Sequence, residues 1–214
     1  MTDKSLRNSA INILLVVAGM SLLIYACSHR TQPGLSDNDR DRDRSSGVTV
    51  RIPEVTLRLP DVSISASDRK RLELFMKDGI EQSVDAGSAT PAEVIETARG
   101  YLGVPHCMDG TTTKCMDCSG LVLRVFATHG ITLPHSSEEQ ARYGHIIEKR
   151  EMLRPGDLVF FIRTYSTSRL ITHSGIFIGE GRFIHTSSSR GVIITSMDDP
   201  WWSERYLLAT RIFR

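Results

Sequence analysis

The point along this chain at which the hydrophobic period changes restricts its fold more than any other feature. Up to Gly130 apolar residues recur at helical spacing: Ala92, Val94, Ile95, Ala98 and Tyr101, then Leu121, Val122, Val125 and Phe126. Thr90-Pro91 opens the first of these helices and Gly103 and Pro105 stop it. The second runs from Cys118 to His129 and is closed by Gly130. After Pro155-Gly156-Asp157 the pattern becomes that of strands, over residues 158–163, 172–178, 182–186, 192–195 and 206–213. Helices followed by strands do not make the alternating order of a parallel sheet. They predict an α+β domain over residues 89–214, with the helices packed on an antiparallel sheet.

Charge narrows the function classes. Among 214 residues, 26 Lys and Arg stand against 25 Asp and Glu, a net +1, which is too even for a general nucleic-acid binder. No nucleic-acid partner is expected, and the chain is expected to be a monomer. Four cysteines are too few for a disulfide scaffold, so each needs its own explanation.

The first 26 residues do not read as part of the fold. Lys4 and Arg7 precede an apolar run from Ile11 to Ala26, the pattern of a secretory signal. The run ends in Leu23-Ile24-Tyr25-Ala26-Cys27, which resembles a bacterial lipobox. That resemblance implies cleavage before Cys27, acylation of Cys27 and a lipid tether to a membrane. Ser28 after it resembles lipoproteins sent to the outer membrane, facing the periplasm of a Gram-negative bacterium. The alternative is an uncleaved anchor, and in both cases the body of the protein is extracytoplasmic. Residues 27–47 carry Asp37, Asp39, Asp41 and Asp43 interleaved with arginines and no apolar face, so a disordered tether is expected. In 48–88, alternation around Val50, Ile52, Val55 and Leu57, with Pro53 and Pro60, predicts an edge strand or extended arm. Leu72, Phe75, Met76, Ile80 and Val84 then predict a helix over 67–85 with Ser67 as cap. The sequence assigns this segment no role.

Cys118 falls in the first turn of its helix, where unpaired amides favour a thiolate and its own amide can face an oxyanion. A cysteine on an apolar helix face is also consistent with packing alone. A base has to come from elsewhere, and His173 and His185 flank Gly179-Glu180-Gly181. A three-residue loop there puts Gly175 opposite His185 and makes the two histidines diagonal neighbours on one face, about 7–8 Å apart at the backbone. A two- or four-residue loop puts them on opposite faces.

With these residues in view, the stretch from Ala92 to Arg214 resembles NlpC-type cell-wall peptidases, a papain-like family. The resemblance rests on Asp117-Cys118-Ser119-Gly120-Leu121-Val122 and Leu133-Pro134 with Ser136 and Gln140. It continues through Leu153-Arg154-Pro155-Gly156-Asp157-Leu158, His173-Ser174-Gly175-Ile176-Phe177-Ile178-Gly179 and Phe183-Ile184-His185. It implies that Cys118 is the nucleophile, His173 the base and His185 the residue that orients His173. Asp117, Ser119 and Ser136 match positions that contact the peptide stem of peptidoglycan. His106 stands where the family usually has a tyrosine near the nucleophile, Asp109 replaces one of two glycines, and His135 replaces an arginine. His106 therefore joins the expected substrate-binding set, and these departures bear on substrate choice and rate. The implied activity is hydrolysis of peptide bonds in the stem or cross-link, with no cofactor and no metal. Alternatives are a non-catalytic wall-binding lipoprotein and an acyltransferase of the same fold.

Cys107 and Cys115 lie in the loop before the nucleophile. In an oxidising compartment a disulfide between them braces that loop. A zinc site built from His106, Cys107, Cys115 and Cys118 is the competing reading, and it lacks a second Cys-x-x-Cys. A Cys115–Cys118 disulfide, which would silence the nucleophile, also stays open.

Overall fold

The computed structural model describes residues 49–52, 55–58 and 64–214. The expected signal segment 1–26, Cys27 and the tether 27–47 lie outside the described residues. Thr49–Ile52 (β1) and Val55–Arg58 (β2) pair antiparallel, with Ile52 opposite Val55, so the alternation read as an arm folds back on itself as a hairpin.

Ala66–Lys77 forms α1, shorter than the helix expected to reach residue 85. Its cap is Ser65 rather than Ser67: the Ser65 hydroxyl accepts the Asp68 amide at 3.1 Å. Two things end the helix early. Gly79 takes a left-handed φ of +101°, and the buried Arg142 guanidinium donates to the Phe75 carbonyl at 2.7 Å and the Gly79 carbonyl at 2.8 Å, satisfying acceptors the helix leaves open. Arg142 also stacks over the Phe75 ring. Ile80 and Val84 still pack partly buried on the core, but from outside the helix.

Pro91–Arg99 (α2) starts in a capping box, Thr90 accepting the Glu93 amide while Glu93 accepts the Thr90 amide. Cys118–Thr128 forms α3. Ser137–Gln140 (α4), His145–Ile147 (β3) and a 3-10 turn at Arg150–Met152 follow. Then come Leu158–Ile162 (β4), Ile171–Gly179 (β5), Arg182–Ser187 (β6), Gly191–Ser196 (β7), Pro200–Ser203 (α5) and Tyr206–Arg211 (β8). The last six strands form one antiparallel sheet in the order β3-β8-β4-β5-β6-β7. Strands β4 to β7 are a meander, and β8 returns to the free side of β4.

Both faces of the sheet are covered, which is why β4 reads as an unbroken apolar run. Leu158, Phe160 and Ile162 meet Val94, Ala98, Leu121, Val125 and Phe126 of the helices. On the other face Val159, Phe161, Phe177, Phe183, Tyr206 and Ala209 form a second core, with Trp202 packed against it. Below β4, the buried Asp157 carboxylate takes two bonds from Arg211, both 2.8 Å, and the Arg154 amide at 2.7 Å. That pair ties the turn into β4 to the last strand.

Candidate active site

Strand register brings the histidines together. Ile176 pairs with Ile184 and Phe177 with Phe183, the alignment a three-residue loop implies, and a bulge at Gly179 opposite Arg182 absorbs the difference at the turn. A side chain on Gly175 would start 2.7 Å from the Phe183 ring and 3.2 Å from His185 Cβ, so its absence leaves room for β6 side chains to cross β5. His173 Nε2 lies 3.0 Å from His185 Nδ1. His185 Nε2 lies 2.9 Å from the Thr195 hydroxyl on β7. Trp202 packs on both imidazoles, at 4.9 Å from His173 and 4.5 Å from His185.

His185 is fully buried. Burial, the charge of His173 and Arg190 hold it well below the usual histidine range, so it is neutral at physiological pH and carries one proton. When His173 donates through Nε2, His185 must accept at Nδ1. Its own proton then sits on Nε2 and is donated to Thr195. The nitrogen left on His173 to meet a thiol is Nδ1.

Cys118 is the first residue of α3. Asp117 caps the helix: its Oδ1 accepts the Gly120 amide at 2.6 Å and its carbonyl accepts Leu121. The amides of Cys118 and Ser119, with no intrahelical partner, point out of the helix end. Gly120 permits the helix to sit here, because a side chain on it would start 2.0 Å from the Gly110 carbonyl. Cys118 is partly exposed. Burial pushes the thiol up, but the charge of His173, its hydrogen bond, the Ser137 hydroxyl at 3.5 Å and a backbone bond from Ser174 outweigh it. The thiol falls from 9.0 to about 7.

Cys107 and Cys115 are joined as a disulfide and Cys118 is free, so the two loop cysteines are not thiolates available to zinc. Among the described residues, no group of three or more His, Cys, Asp or Glu side chains could hold a metal.

A cleft of about 590 Å³ opens over the thiol. His106, Asp117, Ser119, His135 and Ser136 line it with Cys118 and His173, and His185 lies behind His173. Asp117 also receives His135 Nε2 at 3.1 Å and the Ser119 hydroxyl at 3.0 Å. Ser136 caps α4 by accepting the Glu139 amide at 3.4 Å.

Three side chains at the site were not singled out from the sequence. Ser137, next to the expected Ser136, bridges the thiol and Ser174 at 3.0 Å, and Ser174 donates to Gln140. The spacing Ser136-x-x-Glu139 is a cap signature that gives Ser136 to the helix end and turns Ser137 inward. Thr195 pairs with Phe183 in the β6–β7 register, which makes it the diagonal neighbour of His185 on the same face. Trp202 sits on a one-turn helix too short to show a period.

Residues 103–211 match the NlpC/P60 family, and the chain belongs to it. Its relatives include the murein DD-endopeptidase MepS/murein LD-carboxypeptidase of Escherichia coli K12, 43% identical over 122 residues, covering 56% of this chain and 62% of that one. A gamma-D-glutamyl-L-lysine dipeptidyl-peptidase of Bacillus cereus is 36% identical over 180 residues, covering 83% of this chain and 54% of that one. The matched segments thus span under two thirds of those relatives. The crystal structure of an NlpC/P60 family protein from Bacillus cereus superposes with a TM-score of 0.55 at 32% identity, over 61% of this chain and 42% of that one.

Proposed function

We propose that the protein is a peptidoglycan hydrolase, a cysteine endopeptidase that cuts peptide bonds in the stem or cross-link. One observation carries the reading: a partly exposed thiol in the first turn of a helix, beside a histidine paired to a second histidine, at the floor of an open cleft. The names of the E. coli and B. cereus relatives support the substrate class.

In this mechanism the Cys118 thiolate attacks the scissile carbonyl. The oxyanion that forms is met by the Cys118 amide, already aimed out of the helix end. His173 gives its proton to the leaving amine, and the C–N bond breaks to an acyl-enzyme. Water then attacks the thioester, His173 takes its proton, and the acid product leaves. His185 stays neutral throughout and holds His173 through Nε2, with Thr195 fixing the tautomer that lets it do so. Asp117, Ser119, Ser136 and His106 line the path of the stem peptide.

Ahead of this domain, residues 1–26 act as a lipoprotein signal, Cys27 carries the lipid and 27–47 is the tether, which puts the cleft on the periplasmic side of the outer membrane. The test is release of new amino groups from purified sacculi. Wild-type protein should release them and Cys118→Ala should not. Equal release by both would reject the nucleophile, and none by either would reject the hydrolase.

A further inference from the structure

The thiol of Cys118 meets a second side chain besides His173, the Ser137 hydroxyl at 3.5 Å. Ser137 begins a line of three buried polar side chains: it lies 3.0 Å from the Ser174 hydroxyl, which in turn lies 3.1 Å from Gln140 Oε1. A hydroxyl has one proton to give, so the direction of the whole line follows from its far end.

Gln140 fixes that end. Its Nε2 donates to the Ser119 carbonyl and to the Pro134 carbonyl, both at 2.8 Å, which uses both amide protons and leaves Oε1 as an acceptor. Turning the amide over would set Oε1 against two carbonyls, so this orientation is the one the network allows. Ser174 therefore gives its proton to Gln140 and can only accept from Ser137. Ser137 also has one proton, and two acceptors compete for it: Ser174 Oγ and Cys118 Sγ.

The state of the sulfur decides between them. A neutral thiol is a weak acceptor, and Ser174 wins. Once the thiol proton has passed to His173, the sulfur carries a full charge, and a charge-assisted bond outweighs a neutral one.

We infer that Ser137 is a two-position hydroxyl at the catalytic sulfur: it donates to Ser174 while Cys118 is a thiol and turns to donate to the sulfur when Cys118 ionises. Ser174 is the competitor that favours the thiol. Only the O–H bond turns, so the thiolate gains a donor without movement of the backbone. The role in turnover rests on Cys118 being the nucleophile of the proposed function, whereas the test below needs only the thiol.

The other titratable groups around the sulfur are His173 with His185 behind it, Asp117 with its partner His135, and His106 and Tyr165 on the walls of the cleft. All six stay in place in the variants that follow. The experiment is the pH dependence of iodoacetamide alkylation at Cys118 in the full chain, followed by mass spectrometry, with folding checked by circular dichroism. Ser137→Ala removes the donor and should move the alkylation midpoint up by about one pH unit, which slows alkylation at pH 7 about fivefold. Ser137→Thr keeps the hydroxyl and should lie closer to wild type. Ser174→Ala removes the competitor and should move the midpoint the other way, down by about half a pH unit. Gln140 loses its donor in that variant whether the sulfur is ionised or not, so the loss lowers stability and leaves thiol acidity to Ser137.

A Ser137→Ala midpoint equal to wild type would overturn the inference. So would a Ser174→Ala midpoint that stays or rises, since a rise would mean a line of protons running from Ser174 toward the sulfur. If Ser174→Ala does not fold, the Ser137 pair decides: a midpoint restored by Thr supports the two-position hydroxyl, and one that Thr leaves with Ala overturns it. Alkylation needs no substrate, so a wild type that releases nothing from sacculi would remove the hydrolase and leave this result to stand or fall by the midpoints.

Discussion

Replacing His173 by Gln separates the two roles that the proposed mechanism gives the histidine, one toward the thiol and one toward the leaving group. In the wild type, the thiol sits two units below its ordinary 9.0, at about 7, although burial opposes this. Two units correspond to about 2.7 kcal/mol of preference for the thiolate. The largest opposing influence is the charge of His173, so without it burial should carry the thiol back to 9 or above. At pH 7 the thiolate fraction would then fall from about one half to about 1%, and iodoacetamide should alkylate Cys118 about fifty-fold more slowly. Rising pH restores thiolate in the variant, so alkylation should recover above pH 9. Turnover should not, because the proton donor is gone and its loss costs a further factor of about 10² to 10⁴. The assay is the pH dependence of alkylation, followed by mass spectrometry at Cys118, alongside kcat/KM on a soluble muropeptide. In wild type both should rise through pH 7 as the thiol ionises. A variant thiol that still titrates near 7 would refute the assignment of His173 as its electrostatic partner.

Removing the disulfide with Cys107→Ser and Cys115→Ser frees a short loop and should cost about 2.5 kcal/mol by loop-closure entropy, read from urea unfolding, while Cys118 stays reactive. Asp157→Asn removes the charge and one of the two oxygens that accept from Arg211, and weakening this partly buried pair should cost about 1.5–3 kcal/mol, seen as a fall of about 5 °C in Tm. His185→Asn keeps a polar group behind His173 and should retain more kcat/KM than His185→Ala, with both folded by circular dichroism. Cys27→Ser should leave the protein unacylated and lost from the membrane fraction, whereas an intact Met1 on mature protein would reject the lipoprotein signal.

The fold was legible wherever a segment was long enough to show a period. Helices α2 and α3 and strands β4 to β8 fall within one to two residues of the apolar runs that announced them, because a buried stripe has to repeat. The pieces that escaped notice, α4, β3 and α5, are three or four residues long and repeat nothing. The end of α1 escaped for a different reason. Ile80 and Val84 keep helical spacing, and what stops the helix is Gly79 together with an arginine 63 residues further along, a tertiary contact that no local pattern encodes.

The site divides in the same way. Whether His173 and His185 share a face depends on the parity of one loop, and parity can be counted from the sequence. The bulge at Gly179 shows how narrow that margin is: the turn is closed by Gly179 and Arg182, and only the extra residue restores the alignment that places both rings on one side. What could not be counted is the third partner. Thr195 is reached only through the β6–β7 register, and its importance appears only when protons are assigned along the chain of bonds. A neutral His185 has one proton to give, its Nδ1 must accept from Nε2 of His173, and so its Nε2 carries the proton and must find an acceptor of its own. Without a hydroxyl at that point, the tautomer that accepts from His173 would lose a hydrogen bond inside a buried site, and the opposite tautomer would present two donors to each other.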